Sequence, residues 1–471
     1  MRRNYRYRNL FWHGIPSATA ALAIGILFAA AMAASQAAEA QTYTVLHNFT
    51  GGADGANPFA GLTMDRAGNL YGTTAGGGNS GGCWDPINGN NSCGTVFKLS
   101  HHSSSWTFAA LYAFTGDIVG DYDGANPEAR VIIGPDGDLY GTTYMGGTGT
   151  CGASGGCGTV FKLNPPPSIC SSTSCPWRET VVWSFAQSNG AWPQFADLVF
   201  DQHGNIYGTA PLGGRYGDGG FCGGLVTGCG VIFELSPSGG SWTDSVLWNF
   251  GEVVGSEILP FSGVTLDNAG NLYGTASYGG EGVFGGGFGA VYKLALPGAL
   301  SDLYNFPGGS DAGYPIAGVI FDSSFSNLYG ASSAGGAGNG GVVFKLSLSG
   351  AFTPLYTFTG TEQSGCPAPG LGEGFVPGPG PWASLTMDTS GNLYGTTMCD
   401  GANGAGNVFE LLYSNGNYTY QDLYDFTGSS DGSYPISNVS LHYTNGVVDA
   451  LYGTASAGGS QGYGVVWEIT P

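Results

Sequence analysis

Four aspartates occupy the same place in a recurring phrase: Asp54-Gly-Ala-Asn-Pro58, Asp123-Gly-Ala-Asn-Pro127, Asp311-Ala-Gly-Tyr-Pro315 and Asp431-Gly-Ser-Tyr-Pro435. Carboxylates gathered by repetition could form a ring that holds a hard cation or accepts hydrogen bonds from sugar hydroxyls. The same residues also suit a plain turn, in which Asp caps main-chain N–H groups ahead of Pro. Asp117, Asp121, Asp123 and Glu128 crowd one loop and make the best single Ca2+ candidate, although they lack the ligand register of an EF-hand. Apart from that ion no cofactor is expected. Trp192 and Trp382, with Trp84 and Tyr278, offer flat rings that could stack on a sugar or a partner.

Other chemistries fit less well. Gly152-Ala-Ser154-Gly-Gly156 has the form of a nucleophile elbow, but it lies between two cysteines, not on a strand-to-helix turn, and no His is placed to assist it. Gly147-x-Gly149-x-x-Gly152 overlaps it, and no helix follows to hold a phosphate. A P-loop would need a Gly-Lys dipeptide, which is missing. No catalytic residue is assigned. The ten cysteines form short-range couples, Cys83 with Cys93, Cys151 with Cys157, Cys170 with Cys175, Cys222 with Cys229 and Cys366 with Cys399, and are expected as five disulfides. The lack of Cys-x-x-Cys argues against zinc.

The elements that carry these residues are set by repetition. The phrase Gly68-Asn-Leu-Tyr-Gly-Thr-Thr74 returns at Gly137, Gly204, Gly270, Ser326, Gly391 and Asp449, in steps of 69, 67, 66, 56, 65 and 58 residues. A Gly-rich stretch follows each copy, then a phrase of the type Val96-Phe-Lys-Leu99, then one of the type Leu111-Tyr-Ala-Phe114. A fourth segment, such as Gly61-Leu-Thr-Met-Asp65, precedes the first phrase. In chain order we label these segments A (Gly61–Asp65 type), B (Leu-Tyr-Gly-Thr), C (Val-Phe-Lys-Leu) and D (Leu-Tyr-x-Phe). All are short and rich in β-branched and aromatic residues, and turn residues separate them, so the chain is expected to be all-β. Four antiparallel strands per unit and seven units predict a seven-bladed β-propeller with four-stranded blades. The period is too short for stacked immunoglobulin-like sandwiches and too long for a coil-type solenoid. The sequence after residue 40 opens on a D segment and closes on a C segment, so Val45–Phe49 is expected to complete the last blade beside Val465–Ile469. D–A and B–C loops then share one face, which also carries most of the cysteines and long inserts and is the expected interaction face.

Residues 1–40 read as a signal peptide: Arg2, Arg3, Arg6 and Arg8, an apolar run from about Ser17 to Ala34, and Ala38-Glu39-Ala40 before a cut at Gln41. The propeller is assigned to 41–471. The expected product is exported, extracellular or periplasmic, with no membrane insertion after cleavage, and monomeric. Without the leader, 8 basic residues (12 less four Arg) face 32 acidic ones (33 less Glu39), a net charge of −24 that repels nucleic acid.

These phrases resemble the GloVer (Gloeo-Verruco) tandem-repeat family of bacterial extracellular proteins, whose units carry a GNLYGTT phrase, a GG-rich loop and a VFKL phrase. The resemblance spans residues 43–471. It implies an extracellular protein, often of the choice-of-anchor kind, and brings no established reaction or catalytic residue. This chain ends at Thr470-Pro471 without a surface-sorting tail, so covalent anchoring is not expected. The Asp-x-x-Gly-Asn-hydrophobe-Tyr hairpin is also similar, at fold level, to gluconolactonase-like and NHL-type propellers. The resulting expectation is a noncatalytic binding or scaffold protein of the cell envelope that engages a glycan or an envelope protein. The alternative is a metal-dependent hydrolase or lactonase, which needs three or four Asp, Glu, Asn or His side chains converging at the channel mouth.

Overall fold

The computed structural model describes residues 41–471 apart from 79, 85–90, 103–104, 117–121, 152–154, 167–175, 216–221, 223–227, 252–257, 281–286 and 361–377. The leader with its cleavage site, Asp117, Asp121, Ser154, the couple Cys170 with Cys175, Cys366 and the side chain of Trp84 lie outside the described residues. The fold is all-β: seven four-stranded antiparallel blades make a seven-bladed propeller.

Blade 1 runs outward through Thr63–Met64, Leu70–Thr74, Thr95–His102 and Ser105–Ala113, and blades 2 to 6 repeat that A-B-C-D order. The last blade is assembled from both ends of the ring. Ser440–Thr444, Val447–Ala455 and Val465–Thr470 come from the C-terminal end, and Thr42–Asn48 bonds to Val465–Thr470 as the outermost strand. Phe49 adds a main-chain bond to Gly464 at 3.0 Å. Closure by the N-terminal strand leaves no blade missing an edge partner.

The recurring phrases follow from packing. Strand C places an aromatic ring across the glycine of strand B in its own blade. A Cβ on Gly208 would sit 2.6 Å from Cζ of Phe233, so the phrase needs glycine there for lack of space. Strand D ends in a buried phenylalanine in every blade, Phe49 in the last and Phe114 in the first, both 0% exposed. A β-bulge in the C–D pairing, between Val96 and Phe97 in blade 1, recurs at the same step in blades 2 to 6.

Tyrosine of strand B pairs directly with the Lys or Glu of strand C. Lys98 lies over the Tyr71 ring at 5.3 Å, whereas Glu234 accepts the Tyr207 hydroxyl at 3.1 Å. Both charge signs therefore serve one tyrosine, by cation–π attraction or by hydrogen bond.

Candidate functional site

The axis is built from the start of each blade. In every D–A loop the residue just before the small Ala or Ser that leads into strand A lies at the channel mouth: Phe59, Glu128, Phe195, Phe261, Ile316, Trp382 and Ile436. All but Glu128 are apolar. Phe59, Phe261, Ile316, Trp382 and Ile436 pack with Met398 and Cys399 in one buried cluster, with Phe195 against it. Phe59 of blade 1 reaches Phe195 of blade 3, ring centroids 6.2 Å apart. A hydrophobic plug thus closes the mouth on the D–A face.

Beneath the plug lies an axial cavity of about 460 Å³, reaching Phe321 and Met387 on strands A of blades 5 and 6. Its wall has an ion pair. Asp197 accepts the Arg130 main-chain N–H at 3.0 Å and its guanidinium at 3.0 Å from Nε and 2.9 Å from Nη2. These side chains are 30% and 33% exposed, so the pair contributes only about 0–1 kcal/mol to stability. Glu128 also lines the cavity but is 2% exposed.

The four recurring aspartates lie elsewhere. None lines the axial cavity. Each is turned back onto the D strand before it. Asp54 takes the Thr50 N–H at 3.0 Å, the Thr50 hydroxyl and His47 Nε2 at 3.1 Å. Asp123 accepts the Tyr112 hydroxyl at 2.8 Å and the Thr115 N–H at 2.9 Å. Asp311 accepts from Tyr304 at 2.7 Å, and Asp431 from Tyr424 at 3.0 Å and from the Thr427 N–H at 2.8 Å. Burial pushes the Asp123 carboxyl up, against the lowering effect of Thr115 and Tyr112. Asp431 is also raised by burial, but its bonds from Thr427 and Tyr424 outweigh that and leave it below the usual range. All four act as clasps within a blade.

Of the Ca2+ candidates, Asp123 and Glu128 are described and both are buried. Among the described residues no three His, Cys, Asp or Glu side chains are grouped to hold a metal ion. Trp192 is partly buried and donates Nε1–H to Gly156 at 3.3 Å. Trp382 is 5% exposed, donates to Gly378 at 2.9 Å and borders the closed end of the cavity.

The disulfides stabilise the same face. Cys83–Cys93, Cys151–Cys157 and Cys222–Cys229 form as their spacing suggested, and Cys399 is also disulfide-bonded. The second cysteine of each of the three described bridges lends its carbonyl to the next blade: Cys93 to the Asn126 N–H at 2.8 Å, Cys157 to Trp192 at 2.8 Å and Cys229 to Leu259 at 3.0 Å. Each covalent loop therefore ends where two blades meet.

Threonine of strand B had no role in the sequence reading, and the structure gives it one. Thr73 donates to Ala129 at 3.0 Å, Thr209 to Ser262 at 2.7 Å and Thr275 to Ala317 at 2.9 Å, each time across to the stretch that leads into strand A of the next blade. The signal was present in the repeated Gly-Thr, but the hydroxyl's direction depends on blade tilt.

No curated protein matches the sequence. Similar solved structures are remote. A polysaccharide lyase, an ulvan lyase bound to -[GlcA(1-4)Rha3S]-, is 10% identical, with 88% of this chain and 93% of that chain covered and a TM-score of 0.48. A xyloglucanase from Xanthomonas campestris is 12% identical, with 88% and 52% covered and a TM-score of 0.47. A protein of unknown function from Dyadobacter fermentans is 9% identical, with 92% and 99% covered and a TM-score of 0.44. The model of the Gloeobacter/Verrucomicrobia repeat matches residues 39–222 and 219–375, most of the length over which the seven phrases recur, and the chain belongs to that repeat family.

Proposed function

We propose that this propeller is a noncatalytic binding or scaffold protein, exported to the cell envelope, that engages a glycan or an envelope protein through its D–A and B–C loops. One observation carries the reading: the mouth where a propeller hydrolase would gather carboxylates is filled by Phe59, Phe261, Ile316, Trp382 and Ile436. The recurring aspartates of that face are engaged inside their own blades, as described above. D–A and B–C loops are also tied to each other, by the Ala56 to Gly76 and Ala125 to Met145 bridges for example, which makes the face a rigid platform for contacts. Export is supported by the disulfides, which persist in oxidising compartments.

The test is to immobilise the purified protein and present it with envelope glycan fragments and detergent-extracted envelope proteins. Lactone and ester hydrolysis is assayed in parallel with Ca2+, Zn2+ or Mn2+ added. Retention of a defined glycan or protein without turnover is the expected result. Metal-dependent turnover that is abolished in the Asp123→Asn protein would replace binding by catalysis.

A further inference from the structure

The propeller is close to seven-fold symmetric in the layers of its axial wall, with one exception. One layer is small in every blade: Ala60, Ala129, Ala196, Ser262, Ala317, Ala383 and Ser437. Two positions further on, the wall is aliphatic in every blade, from Leu62 to Val439. Between them the equivalent residues are Gly61, Arg130, Asp197, Gly263, Gly318, Ser384 and Asn438, and all seven line the axial cavity. Packing accounts for the glycines, since a Cβ on Gly61 would meet the Asn438 amide and one on Gly318 would come within 3.0 Å of Ser384 Oγ, but not for the choice of the polar groups themselves. Polar side chains are gathered on blades 2 and 3 and on blades 6 and 7, with glycines between them.

From this we propose that the axial cavity is a binding site for a small, uncharged, hydroxyl-rich molecule of mono- or disaccharide size. The volume of about 460 Å³ falls in the range of small-molecule sites, and polar and apolar surface share its wall almost equally, which suits a hydroxyl-rich ligand. Arg130 uses Nε and one amino group on Asp197, and its other guanidinium N–H groups have no protein acceptor among the described residues. Beside it the Asp197 carboxylate accepts. Adjacent donor and acceptor match vicinal hydroxyls, each of which both accepts and donates. Across the cavity Ser384 accepts the Gly318 N–H at 3.0 Å and keeps its own O–H to give. Val264, Ile320 and Met387 supply the apolar surface for a ring's C–H face. An anion is disfavoured, because the Arg130 charge is already neutralised by Asp197 and Glu128 lies in the same wall. The plug closes the D–A end, so entry is from the face of the A–B hairpins, opposite the loop platform.

The test is saturation-transfer NMR and calorimetry on the purified protein with glucose, galactose, rhamnose, mannose and cellobiose, and with citrate as the anionic comparison. The expected result is saturable binding of at least one of the five sugars and none of citrate. Asp197→Asn, which keeps the shape, and Ser384→Phe, which fills the cavity, each weaken that binding by about tenfold or more. No saturable sugar binding by the unaltered protein overturns the proposal. So does binding that persists unchanged in both variants, which would move the site to the loop face, or preferential binding of citrate.

Discussion

The hydroxyl of Thr454 in the last blade donates to the main-chain carbonyl of Ala60 in the first at 2.8 Å. The same clasp joins consecutive blades elsewhere, as from Thr396 to Ser437 at 2.8 Å. Blade 5 has Ala331 at this place and makes no such bond. Across the seam the clasp supplements the closure made by Thr42–Asn48, one tie near the axis and one at the rim. Replacing Thr454 by Val keeps the shape and removes the donor. The expected loss is about 1–2 kcal/mol, measured by urea unfolding, because a buried carbonyl loses its partner.

Two glycines of blade 3 should respond for different reasons. Gly208→Ala meets Phe233 Cζ at 2.6 Å and Leu198 Cδ2 at 3.0 Å, an overpacking that costs about 1–3 kcal/mol. Gly204 has φ +85 in the A–B hairpin with nothing within 4 Å, so Gly204→Ala costs only backbone strain, about 1 kcal/mol. Thermal unfolding should rank Gly208→Ala as the more damaging.

Asp422 gives the stability a pH dependence. Its carboxyl faces Asp425 and Asn407 even though much of the residue meets solvent. Burial and then the neighbouring Asp425 push its pKa up to about 6. A carboxyl raised in the folded state binds its proton more tightly there than when unfolded. Its contribution is therefore most favourable below the ordinary value near 4, declines between about 4 and 6, and is flat above. Solvent screening holds the effect to about 1 kcal/mol. Asp422→Asn, which keeps a donor toward Asp425, should raise the melting temperature at pH 7 and remove that part of the decline.

The Cys151–Cys157 bridge should matter beyond its own loop. Replacing both cysteines by serine is expected to cost about 2–3 kcal/mol from the freed loop. It should also speed amide exchange at Trp192, whose N–H is held by the Cys157 carbonyl at 2.8 Å. Unchanged exchange at Trp192 would separate the bridge from the blade junction.

Much of the fold could be read from sequence because the repeat is strict. Leu-Tyr-Gly-Thr and Val-Phe-Lys-Leu mark strands B and C in nearly every copy, and the D segment at Tyr43–Phe49 announced the closure. The site was harder, because the same aspartate serves a ring of ligands or a clasp depending on which way its loop folds back. Its partner, Tyr112 for Asp123, lies 11 residues upstream in another segment, and nothing in the Asp-Gly-Ala-Asn-Pro phrase points to it. The plug was legible only in retrospect, from the apolar residue after proline in five of the seven D–A loops. The pair of Arg130 and Asp197 had no local signal at all, since its members are 67 residues apart and meet only when blades 2 and 3 are neighbours.

Every placement of a loop on a face rests on the ring being closed by its own N-terminal strand. Hydrogen exchange followed by mass spectrometry reads this directly. Amides of 45–49 should exchange as slowly as those of 246–250, the equivalent stretch of blade 3, and protection of 465–469 should fall in a chain that begins at residue 50. Rapid exchange at 45–49 beside full protection at 465–469 would contradict the closure and the faces assigned from it.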